Sequence, residues 1–177
     1  MSPRDPAAAR SGDQRVRCFA PVVGPSPRVL IIGSMPGTES LRLGQYYGHP
    51  RNHFWPLMAA VLEEELPPEY AGRVELLRRR GIALWDSISS CDRPGSLDSD
   101  IRDERPNDVV GLVRGQLSLR AMAFNGVKAR QAYLAGAGDG RPEMAEILLP
   151  SSSPVPTRAA RSFADRLAAW EVLRAYL

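Results

Sequence analysis

Four short apolar runs, Val29–Ile32, Ile82–Trp85, Leu119–Phe124 and Glu146–Leu149, punctuate the chain, each bounded by Gly, Pro, Ser, Asp or Asn. Runs this short and rich in Ile, Leu and Val predict buried strands. Between them the pattern changes to a helical period. Trp55, Met58, Ala59 and Leu62 fall on one face of a helix predicted over 54–65. Pro56 is tolerated only in a first turn, so that helix starts at 52–56, and Pro67-Pro68 ends it. A second helix is predicted over 69–80, with Gly81 just past its end. Asn107 is a predicted N-cap for a helix through Gln116. Asn125-Gly126 opens another, to about Leu134, and residues 136–141 read as a flexible connection. Residues 158–177 predict a closing amphipathic helix with Phe163, Leu167, Trp170 and Leu173 inward. Residues 86–106 read as one long polar loop, and no internal repeat is present.

Strands alternating with helices predict a parallel sheet covered on both faces. The expected fold class is α/β, a three-layer α/β/α sandwich around a four-stranded, mainly parallel sheet. Residues 25–177 are expected to form one domain. Residues 1–24, rich in Ala, Pro, Arg and Ser, are expected to be a mobile tail. Ligands of such sheets bind beyond the carboxyl ends of the strands. Those ends carry Gly33-Ser34-Met35-Pro36-Gly37, Asp86-Ser87, Asn125-Gly126 and Ser151-Ser152-Ser153-Pro154. Every unusual polar cluster therefore falls on one rim.

The net charge of +3 admits nucleic acid as a partner without demanding it. The basic residues are arginines except Lys128, and the run Arg78–Arg80 reads as a solvated helix end. Cys18 and Cys91 form neither a disulfide framework nor a CxxC pair, which fits a reducing cytoplasm. An iron–sulfur cluster wants about four thiolates. No apolar run is long enough to span a membrane, and no apolar signal segment follows the first basic residues. A cytoplasmic monomer with no metal and no cofactor is expected.

The richest chemistry follows the first strand. Gly33–Gly37 is neither a dinucleotide fingerprint nor a P-loop, but its turn can aim the backbone N–H groups of Ser34 and Met35 at an oxyanion or a carbonyl. Gln45–Trp55 then gathers Tyr46, Tyr47, Phe54, Trp55, Asn52 and both histidines of the chain. Phe54 and Trp55 suit a core, and Tyr47 suits stacking on a flat base. Asn52 is either a helix cap or an amide that orients a water and binds a substrate oxygen. His49 is either an acid/base group or a loop brace. Asp86, at a strand end, is either catalytic or bonded to loop backbone, and the structural bond is expected. Asp98, Asp100, Asp103 and Glu104 lack a His or Cys partner and match no EF-hand, so no metal is assigned. Ser151, Ser152 and Ser153, with Arg158 beyond them, suit phosphate contact.

Taken together, these motifs resemble the uracil-DNA glycosylase superfamily, whose first motif is a strand followed by Gly-x-x-Pro-Gly. Tyr47-Gly-His-Pro-Arg-Asn-His-Phe-Trp55 resembles its mismatch-specific branch, and Ser151–Pro154 stands where its second motif falls. The hypoxanthine-DNA glycosylase branch is the most similar. Gly33–Gly37, Gln45–Trp55, Gly95–Ser99 and Phe124–Gly126 all match its pattern. Met35 stands where most branches carry a catalytic Asp or Asn, and Ser151 where several carry a His.

The resemblance implies a monofunctional DNA glycosylase acting on a flipped-out deaminated base, with hypoxanthine preferred and uracil possible. It implies Asn52, Ser34 and Met35 as the catalytic set, the last two through backbone N–H groups. Gly33, Tyr47, His49, Phe54 and Asn125 would contact the base. Ser151, Ser152, Ser153 and Arg158 would contact the backbone of damaged DNA. No Lys lies near the motifs, so no Schiff-base lyase step is expected. The alternative is a non-catalytic nucleotide- or lesion-DNA-binding α/β module, with Asn52 only a cap.

Overall fold

A computed structural model describes residues 15–177. The chain runs through β1 (Arg15–Arg17), β2 (Val29–Gly33), α1 (Thr38–Leu43), α2 (Phe54–Leu62), α3 (Tyr70–Arg79), β3 (Ile82–Asp86) and β4 (Ile88–Asp92). It continues through β5 (Arg102–Pro106), α4 (Val109–Arg114), β6 (Ala121–Asn125), α5 (Val127–Ala137), β7 (Ala145–Leu149), α6 (Phe163–Trp170) and a 3₁₀ turn over Glu171–Tyr176. The four apolar runs form one parallel sheet in the order β3-β2-β6-β7.

Side-chain alternation along the strands builds the three layers. Val29, Ile31, Ile82, Leu84 and Ala123 face a core shared with Leu57, Met58 and Val61 of α2, Leu76 and Leu77 of α3, and Trp170 of α6. Leu30, Ile32, Ala83, Met122 and Phe124 face the other way, onto Val109 and Val113 of α4 and Ala129 and Tyr133 of α5. A strand buried on both faces needs apolar residues at every position, which is why the runs were continuous rather than alternating. The α/β/α sandwich is therefore as expected. The chain leaves β2 toward β3 on one side and returns to β6 on the other. That reversal opens a crevice at the carboxyl ends of β2 and β6.

The segment 86–106 is not the single loop its polarity suggested. β4 and β5 pair antiparallel, and β1 joins the other edge of β4 to make a second sheet. Every residue of β5 is exposed, so no apolar alternation announced it. Ile88 and Cys91 of β4 pack instead with Met35, Ile101 and Ala132 in a third apolar cluster. The mobile-tail reading also fails for residues 15–24. Arg15 pairs with Asp92 across the ladder and Val22 bridges to Leu84. The rest of that expected tail lies outside the described residues.

Smaller corrections follow from side-chain bonding. The cap of α4 is Asp108, whose Oδ1 accepts from Gly111 N at 2.8 Å. Asn107 instead donates to the Asp86 carbonyl oxygen at 2.8 Å. The last helix begins at Phe163 behind a capping box of Ser162 and Asp165, and Phe163 itself is exposed. Its inward position is taken by Arg166, which is 1% exposed.

Candidate active site

A cleft of about 500 Å³ opens where β2, β3, β6 and β7 end. That volume falls in the range of roughly 300–1,000 Å³ usual for small-ligand clefts. Gly33 to Gly37, Tyr47, His49, Asn52, Asp86, Asn125 and Ser151 to Ser153 all line it. Leu97, Asp98 and Ser99 from the β4–β5 connection form its lip. A more open cleft at the other end of the sheet is lined by Ser26, Arg28, Arg79 and Arg120, away from these groups. Among the described residues, no three His, Cys, Asp or Glu side chains gather as metal ligands, and no helix is long and apolar enough to cross a membrane.

Tyr47 forms one wall. Its backbone sits at φ 54°, a left-handed value that non-glycine residues seldom adopt. Its ring stacks on Phe54 at 3.8 Å with 15° between the planes. Phe54 is fully buried and does not line the cleft, so the expectation that it contacts a base is corrected: it backs Tyr47. Burial and the neighbouring Asp86 carboxylate both push the Tyr47 hydroxyl's pKa up, so it stays protonated.

Asn52 braces the start of a helix and also lines the cleft. Its Oδ1 accepts from the backbone N–H of Phe54 at 2.9 Å, which braces the start of α2. That bond engages Oδ1 and leaves the Nδ2 donors of this cleft-lining residue free to serve a ligand. The spare lone pair of Oδ1 can still accept from a water. His49 lines the cleft, exposed, with Nδ1 accepting from Arg51 N at 3.1 Å.

The turn after β2 is held from both sides. The Gly33 carbonyl accepts from Ser87 N at 2.8 Å, and the Ser34 carbonyl from Ile88 N at 3.1 Å. The Ser34 hydroxyl donates to Asp98 Oδ1 at 2.7 Å. Met35 is buried in the cluster beneath the second sheet and also lines the cleft. Among the described residues, no acceptor outside the central sheet takes the N–H of Ser34 or Met35.

Asn125 clamps the second rim turn. Its Oδ1 accepts from Ser152 N at 2.8 Å and its Nδ2 donates to Ser152 Oγ at 2.9 Å. Ser152 is 1% exposed, which corrects its expected role as a phosphate contact. Ser151 and Ser153 remain on the cleft wall. Arg158 is exposed and does not line the cleft. Sequence reasoning missed Arg166, whose guanidinium donates to the carbonyls of Ser151, Val155 and Ser162 at 2.9, 2.9 and 3.0 Å. The only signal was an Arg on the apolar face of a helix.

Asp86 departs furthest from expectation. Among the described residues its carboxyl makes no bond to loop backbone. Instead Oδ1 lies only 2.5 Å from where a Cβ on Gly33 would stand, and the Tyr47 hydroxyl lies 3.2 Å from the same point. Burial first, then the Asp98 carboxylate, raise the Asp86 pKa to about 7, against the opposing Arg93 guanidinium.

The crevice lies at a switch point of the sheet, where α/β folds bind ligands, and is walled by a stacked tyrosine and by amide side chains. The family model of the uracil DNA glycosylase superfamily matches residues 20–174. A hypoxanthine DNA glycosylase of Methanosarcina acetivorans is 37% identical over 89% of this chain and 96% of its own. A hypoxanthine DNA glycosylase of Methanosarcina barkeri is 40% identical over 63% of this chain and 71% of its own. The solution NMR structure of a candidate uracil DNA glycosylase from Methanosarcina acetivorans superimposes with a TM-score of 0.76 and 36% identity, over 90% of this chain and 96% of its own. The chain belongs to the uracil DNA glycosylase superfamily.

Proposed function

We propose that this protein is a monofunctional DNA glycosylase that hydrolyses the N-glycosidic bond of deoxyinosine. The observation that carries the reading is the convergence of Tyr47, the Asn52 amide and the Ser34–Met35 backbone on one cleft. The names of the two curated relatives supply the substrate class.

The target nucleotide leaves the duplex and its base enters the cleft against Tyr47. As C1′–N9 breaks, the bonding pair goes to the base and the sugar becomes oxocarbenium-like. The N–H groups of Ser34 and Met35 stabilise the charge arriving on the base. Asn52 orients the water that adds to C1′. Asn52 is neutral and takes no proton, so its contribution is position. Ser151, Ser153 and the exposed Arg158 would meet the flanking phosphates.

Gly33→Ala is expected to lower excision by at least about tenfold without unfolding the protein, because the new methyl displaces Asp86 or Tyr47 from the cleft floor. Single-turnover kinetics with a parallel thermal melt checks this; an unchanged rate contradicts the placement of the base beside Gly33. The reading itself is tested with duplexes containing one deoxyinosine or one deoxyuridine, followed by alkaline cleavage of abasic sites. Scission at deoxyinosine supports it. Scission at deoxyuridine alone moves the substrate to uracil, and binding without scission at either favours a recognition module.

A further inference from the structure

We propose that Asp86 is a catalytic acid for the departing purine: its protonated carboxyl donates to the base as C1′–N9 breaks, and its ionised form does not support excision. This rests on the glycosylase reading above and adds to it a residue and a proton.

Three features of the geometry carry the inference. Asp86 lines the cleft yet is only 3% exposed. Its Oδ2 is buried and meets no hydrogen-bond partner among the described residues. Its Oδ1 reaches the bare Cα of Gly33, at the point that the Tyr47 hydroxyl also approaches. A carboxyl held for structure would spend its oxygens on backbone N–H groups. Here Oδ2 is unspent, on a residue that lines the cleft proposed to receive the base.

The surroundings favour the protonated form. Tyr47 and Tyr46 on the aromatic segment and Cys18 beside β1 all lie close enough to feel its charge, and none is a cation. Asp98 on the lip repels a second negative charge. Arg93 attracts one, with Nη2 bonded to the carbonyl of Pro36 and Nε and Nη1 buried without a partner among the described residues, but its pull is outweighed by burial and by Asp98. His49 stands on the exposed rim with its Nδ1 engaged. The result is a carboxyl that holds its proton up to about pH 7, the range in which a general acid works best.

The step balances without a further reactant. The C1′–N9 pair moves onto the purine, and the Asp86 proton moves to a lone-pair atom of that purine, O6 or N7. Water leaves its hydroxyl on C1′. Its remaining proton restores Asp86 through solvent. A neutral purine and an abasic strand result.

The test is single-turnover excision from a deoxyinosine duplex by the full chain, from about pH 5 to about pH 9, with wild type, Asp86→Asn and Asp98→Asn. The wild-type rate is expected to fall about tenfold per pH unit above about pH 7. Asp86→Asn is expected to be slower by about 10²-fold at pH 6 and to lose that alkaline limb. Asp98→Asn is expected to move the limb to lower pH, because a charge that raises the Asp86 pKa is removed. A wild-type rate that stays flat to pH 9 overturns the proposal, whatever the variants do. So does an Asp86→Asn protein that keeps the wild-type limb. If wild type releases no base from deoxyinosine at any pH, it is the glycosylase reading that fails.

Discussion

Asn52→Ala is expected to lower hypoxanthine excision by about 10²–10³-fold while leaving affinity for the lesion duplex within about twofold. The asymmetry follows from what the amide touches. Asn52 lines the cleft, whereas phosphate contact is the role proposed for Ser151, Ser153 and Arg158. The substitution also removes the bond from Phe54 N to Oδ1, which costs about 1 kcal/mol of helix bracing. Asn52→Ser separates the two effects. A serine hydroxyl can accept that N–H but offers no amide to a water or substrate. Its melt is expected to match wild type, with excision as low as for alanine. Full activity in Asn52→Ser would reduce Asn52 to a cap.

Arg166→Met is expected to destabilise the fold by about 3 kcal/mol, or roughly 6–12 °C in Tm, and to slow excision with it. The guanidinium is almost fully buried and bonds three carbonyls, two of them in the turn between Ser151 and Val155. Methionine keeps much of the volume but leaves those carbonyls unpaired, and that desolvation is the larger penalty. The same turn is tied by the clamp from Asn125, by the bond from His53 N to the Ser152 carbonyl at 2.9 Å, and by Trp170 Nε1 on the Pro150 carbonyl at 2.9 Å. Faster amide exchange confined to residues 151–155 would locate the damage. A melt unchanged from wild type would contradict the bracing role.

The central sheet was legible because three of its four strands, β2, β3 and β6, are buried on both faces, the edge strand β7 being only partly so. Val29 to Ile32 has no polar residue to blur the signal, and its neighbours differ little. The rim followed directly, since parallel strands place their carboxyl ends together. The second sheet was hidden for the opposite reason. Arg102-Asp-Glu-Arg-Pro106 is exposed throughout, and its pairing to β4 comes from backbone bonds that composition does not record. Individual roles within the cleft were legible only as alternatives. Asn52 was a cap or a functional amide, and it both accepts from Phe54 N and lines the cleft. Phe54 and Tyr47 were both aromatic candidates. Their order, one behind the other, depends on a left-handed backbone at a tyrosine, which no sequence rule anticipates. Asp86 and Arg166 were misjudged because burial of a charged side chain depends on what the rest of the fold brings to it.

The most direct test is to identify the base itself. The purified protein is incubated with a duplex carrying one deoxyinosine, and the small-molecule fraction is separated and weighed by mass spectrometry. Free hypoxanthine in a one-to-one ratio with an unbroken abasic strand is the expected result. A duplex that is bound with preference for the lesion yet releases no base would contradict the account, and would leave the cleft as a site for recognition alone.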